Sequence, residues 1–143
     1  MTKLKFIAAL AFCVSLTPVF AQSLAEKEKF ASQEKMIADD VESAAKKCKV
    51  TIPVKFDWST FKDIDFMKNS PAGYCDNVFS AIGSICERSE DALKSVQSKI
   101  KSVTCKHSSP HILSLENGEL VYGMDVNDSN ISDMVRAFLM EKL

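Results

Sequence analysis

The chain has 143 residues, and its 18 basic and 19 acidic side chains leave a net charge of −1 at neutral pH. That length is enough for one domain with a single hydrophobic core. The slightly acidic balance argues against nucleic acid or an anionic membrane surface as the main partner, because both attract basic proteins.

The start of the chain has the layout of a secretory signal peptide. Two lysines are followed by an apolar run at 6–16 and by a small residue, Ala21, at the expected cleavage position. The run is too short to anchor the protein in a bilayer. We therefore predict cleavage of residues 1–21 after Ala21 and a single domain over 22–143 that has no membrane anchor. The domain should be periplasmic or secreted, and a bacterial periplasm is favoured over a eukaryotic secretory route.

The first two elements have different periodicities. Apolar residues recur at helical spacing across 24–48, which predicts a long amphipathic helix with a charged outer side. Apolar and polar residues then alternate from Val50 to Trp58, which predicts a half-buried strand. Pro53 cannot donate to a ladder, so we expect this strand at a sheet edge.

The middle of the chain is predicted to be helical. Residues 59–70 form a loop or short helical turn that contributes apolar side chains to the core: Phe61, Ile64 and, as a further candidate, Met67. A helical stripe follows from Pro71 to Cys86. Ser89 with two carboxylates after it predicts the start of another helix, because a hydroxyl cap and early acidic residues suit its free amides.

The next stretch returns to strand periodicity. Residues 103–107 alternate, and Ser108-Ser109-Pro110 interrupts them. Asn117-Gly118 between two alternating runs is the strongest short hairpin signal, because a type I′ turn needs positive φ at both central residues. That turn gives a register: Leu115 opposite Leu120, Leu113 opposite Tyr122, and His111 opposite Met124.

A last amphipathic helix is expected near the end of the chain, capped near Ser129 or Asn130. The predicted order is therefore α-β-α-α-β-β-β-α. We predict an α+β fold in which amphipathic helices pack on one face of an antiparallel sheet of about four strands.

Four of the five cysteines remain after signal cleavage, and an even number in an exported domain predicts two disulfides. A helix would separate Cys75 from Cys86 by about 16 Å, beyond the roughly 7 Å that a bridge can span. We predict Cys75–Cys105 and Cys48–Cys86. The pairs Cys48–Cys75 and Cys86–Cys105 are the second choice.

Both histidines lie in the stretch CKHSSPH. If 108–110 form a hairpin loop, His107 and His111 would face each other within about 5.5 Å, close enough to share a metal. An ordinary turn is favoured, because an oxidised Cys105 leaves two ligands where stable sites need three or four. We predict no cofactor, and a metal site at His107 and His111 is the alternative.

No common catalytic motif is present. The four glycines fit neither G-x-G-x-x-G nor G-x-S-x-G. The stretch from Asp125 to Asn130 fails as a calcium loop because it lacks the glycine at its sixth position and the carboxylate at its twelfth. Paired carboxylates such as Asp39-Asp40 are expected on the outer side of the first helix, where nothing would perturb their pKa values.

Small exported disulfide-bonded domains without a catalytic constellation usually act through their surfaces. The leading hypothesis is a non-enzymatic protein of the inhibitor or immunity type, whose partner is an exported or injected enzyme. Short turns held by a sheet are suited to enter a partner's cleft. The candidate contact residues lie in two turns: Ser108, Ser109 and Pro110, and Glu116, Asn117, Gly118 and Glu119.

Two other function classes stay open. A carrier of an apolar small ligand would use aromatic residues between sheet and helices: Phe56, Trp58, Phe79 and Tyr122. A small hydrolase that uses two carboxylates is the third hypothesis.

Overall fold

The structure is a computed structural model that describes residues 23–128 and 131–143. Its elements, in chain order, are α1 (Leu24–Cys48), β1 (Val54–Phe56), a 3-10 turn (Trp58–Phe61), α2 (Pro71–Cys86), α3 (Glu90–Lys99), β2 (Ser102–His107), β3 (Ile112–Glu116), β4 (Glu119–Met124) and α4 (Ile131–Lys142). The predicted order of helices and strands is confirmed. The predicted signal peptide and the proposed caps Ser129 and Asn130 lie outside the described residues.

The four strands form one mixed sheet in the order β1-β2-β4-β3. Strands β1, β2 and β4 are parallel, and only β3 runs antiparallel, against β4. The prediction of an antiparallel sheet is therefore wrong for two of the three strand pairs. The reason is that α2 and α3 carry the chain from the end of β1 back to the edge where it started, as a parallel pair requires.

Strand β4 inserts between β2 and β3, which corrects the predicted position of the histidines. The Cα partner of His107 is Met124 on β4, and His111 precedes β3 without joining its ladder. Residues 108–110 are thus no hairpin turn, and the two histidines do not face each other across a ladder. The other predicted pairs, Leu113 with Tyr122 and Leu115 with Leu120, are confirmed.

Strand β1 lies at a sheet edge, as Pro53 predicted, but it is shorter than the alternating pattern. The chain leaves the ladder after Phe56 and enters the 3-10 turn at Trp58. Beyond that turn, Met67 is 94% exposed, and Phe66 takes the buried position instead. Met67 was therefore the wrong candidate for the core.

The hydrophobic core lies between the helices and one face of the sheet. Every second side chain of β2 and β4 is buried there: Val103, Cys105, Leu120, Tyr122 and Met124. The residues between them, such as Thr104 and Val121, belong to the more exposed face, as does Lys55 of β1. The helices therefore pack on one face of the sheet, as predicted.

Two disulfides fasten this core. Cys48–Cys86 joins the ends of α1 and α2 across a Cα–Cα distance of 5.1 Å, and Cys75–Cys105 joins α2 to β2 across 6.1 Å. Both distances fall in the usual range for a bridge. The first-choice pairing is confirmed, because α2 and α3 fold back and bring Cys105 beside the first turns of α2. In the part of the chain that the structure describes, no helix is long and apolar enough to cross a membrane.

Candidate functional site

The two predicted contact turns lie at opposite ends of β3. Residues 108–110 precede this strand and residues 116–119 surround the turn that follows it. A five-residue strand is about 15 Å long, so the structure does not bring the two turns together. Each turn has its own set of supporting contacts.

Polar residues collect at the edge where the parallel strands end. Asp57 follows β1, His107 ends β2, Asp125 follows β4, and His111 lies just before β3. Because β1, β2 and β4 are parallel, their carboxyl ends share this edge, which is where open sheets of parallel strands commonly bind ligands. We take this edge as the main candidate site.

Asp125 holds the 108–111 loop in place. Its Oδ2 accepts a hydrogen bond from Ser109 Oγ at 2.6 Å, and its backbone N–H donates to His111 Nδ1 at 2.9 Å. The Ser108 N–H also donates to the carbonyl of Met124 at 2.9 Å. The hydrogen bond from Ser109, followed by the one from the Asn127 N–H, lowers the pKa of Asp125. The carboxylate is therefore ionised and fixed in position.

His111 connects this loop to Asp128. Its Nδ1 accepts a hydrogen bond, so the ring proton of the neutral imidazole lies on Nε2. Nε2 is 3.5 Å from Asp128 Oδ2, and the His111 side chain is only 9% exposed. The ring stacks on Tyr122 with the centroids 6.3 Å apart. The His111 ring therefore packs on Tyr122 and lies beside the Asp128 carboxylate.

A second buried polar atom lies in the same region. Tyr122 Oη is buried without a hydrogen-bond partner among the described residues, and the same holds for His111 Nε2. Burial, followed by the charges of Tyr74 and Asp128, raises the pKa of Tyr122. This phenol is therefore neutral and belongs to the core below the loop.

A groove of about 360 Å³ opens beside Asp128, between the start of α2, the segment after β4 and the start of α4. The Tyr74 hydroxyl forms part of its wall and donates to the Val126 carbonyl at 3.1 Å. The first amides of α2 are already used, since Ala72 donates to Gln33 and Gly73 donates to Ser70. These two N–H groups are therefore not available to bind an anion in the groove.

The second turn has the predicted type I′ character, with φ of 52° at Asn117 and 85° at Gly118. The Gly118 carbonyl accepts hydrogen bonds from the N–H groups of Lys101 at 2.7 Å and Ser102 at 3.2 Å. These bonds tie the tip of the turn to the start of β2 and to the residue before it. It is less free to project than the sequence suggested.

The charges at this turn are unevenly paired. Glu116 and Glu119 lie directly opposite each other in the ladder. Glu119 accepts a hydrogen bond from Thr104 Oγ1 at 2.5 Å, whereas Glu116 has no ion pair with any described residue. The carboxylate of Glu116 is therefore available to a basic group outside the domain.

One pair of carboxylates was not predicted from the sequence. Asp40 does not lie on the outer side of α1 but in a shallow groove against Asp76 of α2. Burial, followed by the charge of Asp40 and a hydrogen bond with it, raises the pKa of Asp76. The two residues are far apart in sequence, so only the packing of α1 on α2 reveals the pair.

The remaining candidates serve packing in this structure. Trp58 stacks between Phe30 and Phe56 with centroid distances of 4.4 and 4.5 Å, and Phe79 and Tyr122 are fully buried. Within residues 23–128 and 131–143, no group of three His, Cys, Asp or Glu side chains is placed to hold a metal ion. Comparisons with protein-family models, curated proteins and solved structures found no match.

Proposed function

We propose that this protein is an exported inhibitor or immunity-type protein, which occludes a partner enzyme and has no turnover of its own. The observation that carries the proposal is the loop from Ser108 to His111, held by Asp125. A loop that is already fixed loses little conformational entropy on binding, so more of its contact energy appears as affinity.

The composition of the loop suits a protein surface as its partner. Ser109 and Pro110 are exposed, and the Ser109 hydroxyl donates to the ionised carboxylate of Asp125. Such a surface offers hydroxyl, carbonyl and carboxylate groups to a basic or polar cleft. The disulfide at Cys105, three residues before the loop, holds its base against α2.

The two disulfides and the first 21 residues support export. Two disulfides persist mainly in oxidising compartments. The first 21 residues match a cleaved secretory signal in their order of basic, apolar and small residues. Together these features favour a periplasmic or secreted protein, whose partner would be another exported enzyme or one injected from outside.

A pull-down of the mature chain from the host's periplasmic extract tests the proposal. Wild-type protein should retain one enzyme and suppress its activity. Ser109→Lys should abolish retention, because it places a long cation in the contact and removes the bond to Asp125. Ser32→Lys, the same change at an exposed position on α1, is the matched control and should retain the enzyme. Equal retention by both variants, or the absence of any retained protein, would contradict the proposal.

A carrier function has one observation in its favour. A groove of about 370 Å³ between α1 and β1 has a mainly apolar lining that includes Ile37, Val41 and Val54. Native mass spectrometry of the purified protein would detect an apolar ligand bound there. If such a ligand co-purifies and no protein is captured, the carrier replaces the inhibitor.

A further inference from the structure

Strand β3 has one unused backbone side. It pairs only with β4, over residues 112–116 and 119–123. The two-residue turn makes Glu116 and Glu119 a hydrogen-bonded pair, and such pairs alternate with non-hydrogen-bonded pairs along the ladder. The N–H and C=O groups of Leu113 and Leu115 therefore point away from β4. In the described part of the chain, no hydrogen bond outside the ladder reaches these two residues.

This edge lacks the usual protection against pairing. Natural edge strands are commonly short, or carry proline, lysine or a bulge. Strand β1, at the other edge, has only three residues. Strand β3 has five residues in continuous register, contains neither proline nor lysine, and exposes 41% of Ile112. Its sequence, ILSLE, is apolar at three of five positions.

The charge at the end of β3 indicates what would pair with it. Glu116 faces Glu119, and like charges directly opposite each other are unfavourable. The nearby lysines are engaged elsewhere: Lys99 Nζ donates to the carbonyls of Lys142 and Leu143, and Lys101 Nζ to that of Gln97. A basic residue on a strand added beside Glu116 would relieve this repulsion.

We propose that β3 is the docking edge for an extended segment of the partner protein, which adds to the sheet as a fifth strand. Alternate apolar residues of that segment would lie beside Leu113 and Leu115, and a lysine or arginine would lie beside Glu116. This inference rests on the proposed function. It places the partner along the strand that joins the two candidate turns, so that both turns flank the added strand.

A second copy of the chain fits this edge less well. Antiparallel self-pairing centred on Ser114 would place Glu116 beside Ile112 of the other copy. No basic residue occurs in β3, so the carboxylates would stay unpaired at both ends of the joined strands. The charge pattern therefore selects a partner of different sequence.

Selection from a display library of random 12-residue peptides tests the docking edge. Enriched peptides should alternate apolar and polar residues and carry lysine or arginine near one end. Their binding should weaken at least tenfold in Glu116→Lys and stay unchanged in Glu28→Lys, the same substitution at an exposed position on α1. Hydrogen exchange should show that the Leu113 and Leu115 amides become protected when peptide binds.

Leu115→Pro removes an outward N–H that the added strand needs, so it should abolish binding. The variant should still fold, because proline is tolerated where an edge N–H faces solvent. Ile112→Lys, a charge at an exposed edge position, is the second variant if the first fails to fold. The inference falls if no peptide is enriched, if Glu116→Lys binds equally well, or if the wild type forms a dimer that Ile112→Lys dissociates. It also falls, with the proposed function intact, if the captured enzyme is lost in Ser109→Lys but retained in both Glu116→Lys and Ile112→Lys.

Discussion

The two connections that flank β3 are fixed in different ways. Asn117-Gly118 joins β3 to β4, its neighbour in both sequence and space, through two residues with positive φ. The 108–111 loop joins β2 to β3, which are not neighbours because β4 lies between them. Its stabilising contacts come from Met124 and Asp125, which lie 14 to 16 positions farther along the chain than their partners in the loop.

This difference has a consequence for stability. The Asn117-Gly118 turn is specified locally, so it forms wherever its two strands form. The 108–111 loop acquires its conformation only when β4 has added to β2 and placed Asp125 beneath it. A change anywhere in that tertiary arrangement should therefore loosen the loop while the hairpin turn stays intact.

The largest expected effect comes from removing the disulfide that anchors the base of the loop. Cys75→Ala/Cys105→Ala should lower the free energy of unfolding by about 3 kcal/mol, measured by denaturant titration. It should also speed hydrogen exchange in residues 108–111 more than at residues 117–118. Cys48→Ala/Cys86→Ala, which opens a bridge of similar span, is the control. Equal loosening of the loop in both variants would contradict a specific role for Cys105.

Gly118→Ala breaks the locally specified turn. Its φ of 85° disfavours a side chain, and an added Cβ would lie 2.7 Å from Lys101 Cγ. The variant should lose about 1–2 kcal/mol of stability in thermal or denaturant unfolding. Asn117→Gly should change stability little, because glycine adopts positive φ without strain. The amide resonances of Ser108, Ser109 and His111 should stay in place, and their displacement would show that the two connections are coupled.

Gly123→Ala should disturb the tertiary loop instead. An added Cβ would overlap Ser108 Oγ and approach Ile112 Cβ to 3.1 Å, because the loop crosses β4 at this glycine. We expect a loss of about 1 kcal/mol. In a double-mutant cycle, Ser108→Gly should recover part of this loss. Additive effects of the two substitutions would mean that contact with Ser108 is not what makes a side chain at position 123 unfavourable.

The sequence specified the helices and the hairpin well for physical reasons. Helical periodicity and capping serines are local, so the bounds 24–48 and 71–86 and the cap at Ser89 match the structure. The disulfides followed from helix geometry. The hairpin register followed from Asn117-Gly118 alone.

The strand order could not be predicted from local sequence patterns. A short link between two alternating segments is typical of a hairpin, and nothing in residues 108–110 signals that β4 inserts between β2 and β3. The role of Asp125 was missed for the same reason, because its partners Ser109 and His111 are brought near only by that insertion. The pair of Asp40 and Asp76 likewise depends on helix packing.

The smallest effect expected is that of Asp125→Asn, and it should depend on pH. Hydrogen bonds to the ionised carboxylate lower the pKa of Asp125 in the folded protein. The folded state therefore holds this proton less tightly than the unfolded state, so the carboxylate stabilises the fold above the unfolded pKa of about 4. That contribution is lost as pH falls through the lower, folded pKa. Wild type should exceed Asp125→Asn in stability at neutral pH, and the difference should vanish in acid.

Thermal unfolding of both proteins from neutral to acidic pH measures this difference. Asp63→Asn, at an exposed position with no hydrogen bond or ion pair within the described ranges, is the matched control and should leave the profile unchanged. The Ser109 and His111 amide resonances should shift in Asp125→Asn, since both residues lose or change a contact there. A stability difference that persists unchanged into acid would mean that the Asp125 side chain stabilises the loop through contacts that do not depend on its charge.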